Sequence, residues 1–152
     1  GSTEVWVNAG RAGVAFQRLS GVFIENGCVA PYSSAIVGES PMWLGQGERG
    51  AGVAYRASGY TAHRVSTHAI EREWQGYSTM ADAIAFSYQQ EGHDFYVLSF
   101  PTGDASWVYD ATESEKFGAP LWHERASFSN GAFHRDQANF HIYFNGKHTT
   151  GD

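Results

Sequence analysis

The stretch Ala85-Phe86-Ser87-Tyr88-Gln89-Gln90-Glu91-Gly92-His93-Asp94-Phe95-Tyr96-Val97-Leu98 holds two short runs of small and aromatic residues on either side of Glu91-Gly92. Short runs of this kind, bounded by a glycine turn, are typical of neighbouring antiparallel strands. The same order occurs earlier, where Ala35-Ile36-Val37-Gly38-Glu39 precedes Met42-Trp43-Leu44-Gly45. The chain therefore contains a repeated β-unit.

A third and a fourth strand complete each unit. The third strands end in Tyr, a charged residue and Ala, and short fourth strands follow. Equivalent positions lie 53 residues apart in the aromatic strands, from 42 to 95, and 54 apart in the third strands, from 55 to 109. Four short strands per unit at this period are typical of propeller blades, because one small sheet buries its faces only against neighbouring blades. These third and fourth strands are Val53–Ala57 with His63–Ser66, and Trp107–Ala111 with Trp122–Arg125.

The repeat predicts an all-β fold of antiparallel, propeller-like blades, about two of them full and the others partial. We expect residues 1–152 to form a single β-repeat array, with one blade at about 28–66, a second at about 80–126 and the start of a third at 130–152. Since propellers need at least ~4 blades to close, the chain is expected to be a fragment of a larger propeller.

Local signals add turns and one helix. The pairs Asn26-Gly27, Asn130-Gly131 and Asn145-Gly146 predict type I′ hairpin turns, because Asn and Gly tolerate positive φ. A helix is predicted for residues 68–75, with Thr67 as its N-cap and Gly76 after its last residue. The charges of this helix and of residues 113–116 are expected to face solvent.

Composition excludes several classes of protein. Ten Lys and Arg against sixteen Asp and Glu give a net charge of −6, and no basic cluster for binding phosphates is present. The longest apolar runs fall well short of the ~20 residues of a membrane-spanning helix, so no membrane insertion is expected. Cys28 is the single cysteine. It excludes an internal disulfide and is expected to be a small buried apolar group.

Residues 45–50 read Gly-Gln-Gly-Glu-Arg-Gly, which matches the dinucleotide-binding pattern G-x-G-x-x-G. That mechanism needs a helix N-terminus after the third glycine to hold the pyrophosphate. Here residues 51–55 have the composition of a strand. We therefore interpret the segment as a hairpin turn.

Histidines could indicate a metal site. His134 and Asp136 share one strand face, and His141 is expected on the partner strand, but a third firm ligand is missing, so ordinary surface or hydrogen-bonded histidines are favoured. His93, next to Asp94, is expected to fix its turn by bonding backbone groups. We predict no metal site and no cofactor.

No catalytic arrangement is visible either, and we predict that the protein is not an enzyme. Acid–base chemistry needs paired carboxylates or a nucleophile beside a base. In Trp122-His123-Glu124-Arg125 we expect a strand with Trp122 inward and with Glu124 and Arg125 available for an ion pair across blades. The candidate carboxylates occupy separate turns or strand ends: Glu25, Glu39, Asp94, Asp110 and Glu124.

Several strings resemble, in order, the packaged-DNA stabilisation proteins of short-tailed phages, the tail hub or nozzle component. The resemblance covers roughly residues 16–141, and its longest string, Tyr88–Leu98, is too specific to arise easily by chance. Residues 113–120 depart from it, since they exceed the tight turn expected there. The strings are Gly27–Pro31, Trp43–Gln46, Val65–Glu71, Tyr88–Leu98 with Phe100–Thr102, Trp107–Thr112 and Trp122–Ala126.

The resemblance implies a propeller-like virion protein of the phage tail, assembled in the bacterial host cytoplasm. Its implied partners are other tail and portal proteins and copies of itself in a ring below the portal, with packaged DNA only as channel content. It implies no catalysis and no cofactor.

Two alternatives stay open at this point. Trp43, Trp74, Trp107 and Trp122 beside carboxylates would suit a carbohydrate-binding or carbohydrate-active propeller, provided that the rings are exposed. A metal-dependent enzyme would depend on the His134, Asp136 and His141 cluster.

Overall fold

The computed structural model describes residues 1–48 and 50–152. Within these residues the chain consists mostly of short antiparallel strands, with two short α-helices between them. The elements are β1 (Thr3–Asn8), β2 (Phe16–Ile24), β3 (Ala35–Val37), β4 (Ser40–Gln46), β5 (Gly52–Ser58), β6 (Thr61–Arg64), α1 (His68–Gln75), β7 (Ile84–Gln90), β8 (His93–Phe100), β9 (Ala105–Asp110), α2 (Ala111–Phe117), β10 (Trp122–Glu124), β11 (Ala126–Ser129), β12 (Ala132–Arg135), β13 (Phe140–Phe144) and β14 (Lys147–Gly151).

Two four-stranded sheets contain the repeated units. Sheet 1 has the order β3-β4-β5-β6 and sheet 2 the order β10-β9-β8-β7, so in both sheets each strand pairs with its neighbour in sequence. All pairs are antiparallel. Three two-stranded hairpins flank the sheets: β1-β2, β11-β12 and β13-β14. The predicted all-β, antiparallel fold class is confirmed.

Sheets 1 and 2 pack face to face around one apolar core. Trp74 of α1, Tyr96 and Phe100 are fully buried in it, and each such side chain stabilises the fold by roughly 1.5–3 kcal/mol. Both sheets contribute to this cluster, which consists of Ala30, Val37, Met42, Leu44, Ala54, Val65, Trp74, Ala83, Tyr96, Leu98, Phe100, Tyr109 and Ala111.

The outer faces of the two sheets are covered as well. Ile24 of β2 packs with Trp43 and Tyr55 on the outer face of sheet 1. On the outer face of sheet 2, Phe86 stacks against His141 of β13. The two sheets and the hairpins β1-β2 and β13-β14 therefore form four layers. This burial from both sides explains the unbroken buried runs in β4 and β8, where a half-exposed strand would alternate.

Two of the three Asn-Gly predictions are confirmed. Asn130-Gly131 joins β11 to β12 and Asn145-Gly146 joins β13 to β14, with positive φ at all four residues. The third is wrong: Asn26-Gly27 follows β2 and leads into an extended bridge between Cys28 and Gly45.

The predicted helix is confirmed as α1, where the Thr67 hydroxyl accepts a hydrogen bond from the backbone N–H of Ile70. Helix α2 was not predicted from the sequence. Its start is capped by the Asp110 carboxylate, which accepts from the N–H of Glu113 at 2.9 Å, and it ends at Gly118 with φ +67°. This helix accounts for the extra length of residues 113–120.

Candidate functional site

Hydrogen bonds join sheets 1 and 2 inside the core. The hydroxyl of Tyr96 on β8 donates to the carbonyl of Ser33, in the turn before β3, at 2.6 Å. Burial raises the pKa of Tyr96, so the hydroxyl stays protonated and donates. The indole N–H of Trp122 on β10 donates to the carbonyl of Val65, after β6, at 2.7 Å. These bonds fix how one sheet lies on the other.

Two further contacts lie at the rims of the same interface. The hydroxyl of Ser87 on β7 donates to the carbonyl of Ile36 on β3 at 2.6 Å, so the first strands of the two sheets touch. The guanidinium of Arg56 on β5 is 2.5 Å from the Glu115 carboxylate on α2. Helix α2 therefore bridges sheet 2 to sheet 1.

Helix α1 is held by a buried carboxylate. Nε of Arg64 donates to Oε1 of Glu71 at 2.7 Å, and a second guanidinium N–H donates to Oε2. The Ser66 hydroxyl donates to the same carboxylate at 2.5 Å and accepts from the N–H of Ala54. Only 6% of the Glu71 side chain is exposed. The prediction that all charges of this helix face solvent is therefore wrong for Glu71, which lies three residues before Trp74 and so on the buried face.

The hairpins at the two ends of the layered structure present apolar surface. Trp6 and Phe16 of β1-β2 are 55% and 58% exposed. Along β13, His141 faces sheet 2, whereas Phe140, Ile142 and Phe144 are exposed. Apolar residues on two-stranded layers with free edges are typical of interaction surfaces.

A family model described as "Bacteriophage P22 Gp10, beta-propeller" matches residues 1–152. The chain belongs to this phage stabilisation family. The resemblance stated above is confirmed, and with it the propeller class of the fold. No curated protein matches the sequence. In the described ranges, 1–48 and 50–152, neither helix is long and apolar enough to span a membrane.

In this phage stabilisation protein the candidate cluster of His134, Asp136 and His141 does not form. The imidazole of His134 is 2.8 Å from Asp104, while Asp136 lies in the loop after β12. His141 pairs with His148 at 2.8 Å. The expected pairing of β12 with β13 is wrong, because β12 pairs with β11 and β13 with β14. Within the residues that the structure describes, no three His, Cys, Asp or Glu side chains gather in a way that could hold a metal ion.

His93 bonds a carboxylate rather than the predicted backbone groups. Its Nδ1 is 2.8 Å from Oδ2 of Asp110, whose other oxygen caps α2. The N–H of Asp94 donates to the hydroxyl of Thr112 at 2.9 Å. These contacts fasten the β7–β8 turn to the start of α2, and Asp94 and Asp110 thus lie at the same end of sheet 2. The other candidate carboxylates, Glu25, Glu39 and Glu124, are exposed at separate positions.

The segment around Trp122 agrees in part with its interpretation. Trp122 packs against the core, as predicted. Arg125 forms its ion pair with Asp136, at 3.6 Å, and its guanidinium carbon lies 5.5 Å from the centre of the Tyr88 ring. Glu124 is exposed. Arg125 therefore joins β7, through Tyr88, to the loop after β12, through Asp136.

Two further predictions concern residues 45–50 and Cys28. Strand β4 ends at Gln46 and β5 begins at Gly52, and between them the N–H of Gly47 donates to the carbonyl of Ala51 at 2.8 Å, so the hairpin interpretation is confirmed. Arg49 of this pattern lies outside the described residues. The prediction for Cys28 is wrong, because its side chain is exposed and donates to the Ala30 carbonyl at 2.9 Å.

The tryptophans that motivated the carbohydrate alternative are core residues. Trp43 and Trp74 are 5% and 0% exposed, and Trp107 and Trp122 are partly buried against the central cluster. Sugar stacking needs an open ring face. The structure therefore does not favour a carbohydrate site built on these four rings.

Proposed function

We propose that the protein is a structural component of the phage tail, in the hub or nozzle below the portal, where it closes the channel and stabilises packaged DNA. The observation that carries this proposal is the match of residues 1–152 to the phage stabilisation family. In this role the protein is a virion component that assembles in the host cytoplasm, and it is not an enzyme.

The layered architecture supports a role in assembly. We propose that residues 28–66 and 80–126 act as two propeller blades and that residues 130–152 begin a third. Each sheet is covered on both faces by its neighbours, and the hydrogen bonds between sheets 1 and 2 give the pair a fixed geometry. The exposed rings of Trp6, Phe16, Phe140 and Phe144 supply surface for copies of the protein in a ring and for other tail and portal proteins.

Charge supports DNA as channel content rather than as a tightly held ligand. The net charge of −6 repels phosphates, so DNA slides past such a wall instead of binding to it. A direct test is an electrophoretic shift with duplex DNA at physiological salt. No shift is expected, and strong binding would contradict this part of the proposal.

The main experiment is genetic. The gene is inactivated in the phage that encodes it, and DNase-protected DNA is measured in particles isolated after packaging. Particles that lack the protein are expected to fill and then lose their DNA, and supplying the gene in trans is expected to restore retention. Full retention and full infectivity without the protein would refute the proposal.

A further inference from the structure

Two histidines converge on the face of the β13-β14 hairpin that packs against sheet 2. In the strand register His141 lies opposite Thr150 and His148 opposite Tyr143, so the histidines are diagonal neighbours on one face. Nε2 of His141 is 2.8 Å from Nδ1 of His148. One ring nitrogen from each strand therefore faces the same point between the two histidines.

Both rings contact aromatic neighbours. His141 stacks on Phe86, with ring centres 6.2 Å apart and planes 20° apart, and lies 5.5 Å from Tyr88. The ring of His148 packs edge-on against Tyr143 at 4.9 Å. This packing restricts the rotamers of the half-buried His141, so little additional entropy is lost when its ring holds a ligand, whereas His148 is exposed.

The hydrogen bond between the two rings also suits a ligand that accepts nitrogen lone pairs. The two facing ring nitrogens, 2.8 Å apart, share one N–H in their hydrogen bond. Moving that proton to the other nitrogen of the same ring leaves two lone pairs facing one point, with no net proton release.

We propose that His141 Nε2 and His148 Nδ1 form a binding site for a divalent transition-metal ion, with water completing the coordination. Imidazole nitrogens suit Zn²⁺, Cu²⁺ and Ni²⁺. Tetrahedral Zn²⁺ with bonds of about 2.0–2.1 Å needs the nitrogens about 3.3 Å apart, so the rings must separate by about 0.5 Å. A bound ion would cross-link β13 to β14 and stiffen this end layer.

The surroundings leave room for the remaining ligands. A cavity of about 490 Å³ borders both histidines, and the carboxylate-bearing residues Glu91 and Asp94 also line it. Their negative charge favours a cation there. Arg125 also borders the two histidines, but its guanidinium lies over the Tyr88 ring and is paired with Asp136. This metal-site proposal does not depend on the proposed role in the phage tail.

The test is isothermal titration of the chain, prepared without a histidine tag, with ZnCl₂ at pH 7.5. One ion per chain is expected. His141→Gln and His148→Gln are each expected to weaken binding by at least about tenfold, because one nitrogen remains. The matched control is His134→Gln, whose ring contacts Asp104 instead, and its affinity is expected to stay unchanged.

Thermal unfolding gives a second readout that does not depend on calorimetric heats. Saturating Zn²⁺ is expected to raise the unfolding temperature of the parent and of His134→Gln, but not that of the other two variants. Binding is also expected to weaken at pH 5.5, because protons compete for the nitrogens. Circular dichroism checks that all variants fold. No saturable binding, binding retained in both His141→Gln and His148→Gln, or equal loss in all three variants would each overturn the proposal.

Discussion

Replacing Arg64 with Ala removes the charged partner of a buried carboxylate. Glu71 would keep the Ser66 hydroxyl, while the imidazole of His68 lies 3.8 Å away. With 6% of its side chain exposed, Glu71 regains little hydration. Breaking a buried pair in this way costs about 3–5 kcal/mol, and the lower end applies here because the Arg64 side chain is 39% exposed.

The assay is urea unfolding followed by tryptophan fluorescence. A loss of about 3 kcal/mol with a slope of about 2 kcal/mol per molar urea lowers the midpoint by roughly 1.5 M. It lowers the unfolding temperature by roughly 6–12 °C. Arg72→Ala, on the exposed side of the same helix, is the matched control and is expected to stay within about 0.5 kcal/mol of the parent.

A double variant distinguishes loss of the whole ion pair from loss of one of its two charges. Arg64→Met combined with Glu71→Leu removes both charges and keeps apolar volume, so it is expected to be more stable than Arg64→Ala alone. If Arg64→Ala costs less than about 1 kcal/mol, as an exposed ion pair would, the conclusion that Glu71 anchors α1 is refuted.

Three further changes test other parts of the fold by the same assay. Tyr96→Phe leaves the buried Ser33 carbonyl without its hydroxyl partner and is expected to cost about 1–3 kcal/mol; no change would show that this bond does not join the sheets. Gly118→Ala places a side chain at φ +67° with no atom within 4 Å of its Cβ, so backbone strain alone is expected to cost about 1–2 kcal/mol, and an unchanged midpoint would contradict the left-handed end of α2. The backbone N–H of Arg135, and next His134, lower the pKa of Asp104 below 3.8. The ionised carboxylate therefore stabilises the fold at pH values above 3.8, and this contribution is lost as the pH falls through the lowered pKa. The difference in urea midpoint between the parent and Asp104→Asn is expected to shrink on acidification. A difference that grows would contradict this expectation.

Local signals in the sequence predicted much of the secondary structure. Strand composition and the 53- to 54-residue spacing indicated four strands per unit, and Thr67 with Gly76 bounded α1. Helix α2 had readable signals too, namely Asp110 three residues before Glu113 and a glycine at 118. The family resemblance, however, predicts a tight turn at this point.

The contacts between layers could not be read from the sequence. Tyr96 and Ser33 are 63 residues apart in the chain, and no pattern links a tyrosine to one distant carbonyl. The pairing of β13 was predictable in principle, because Asn145-Gly146 marks a two-residue hairpin directly after it. The grouping of His141 with His134 does not take this turn into account. Because the turn pairs β13 with β14, His148 and not His134 lies beside His141.

We propose that this propeller-family chain is built into the phage tail below the portal. Cryo-electron microscopy of the virion tests it most directly. We expect copies of two stacked four-stranded sheets in a ring at that level, with the indole N–H of Trp122 bonded to the carbonyl of Val65 between them. Tail density at that level fully explained by other proteins, with this chain absent from purified virions, would contradict it.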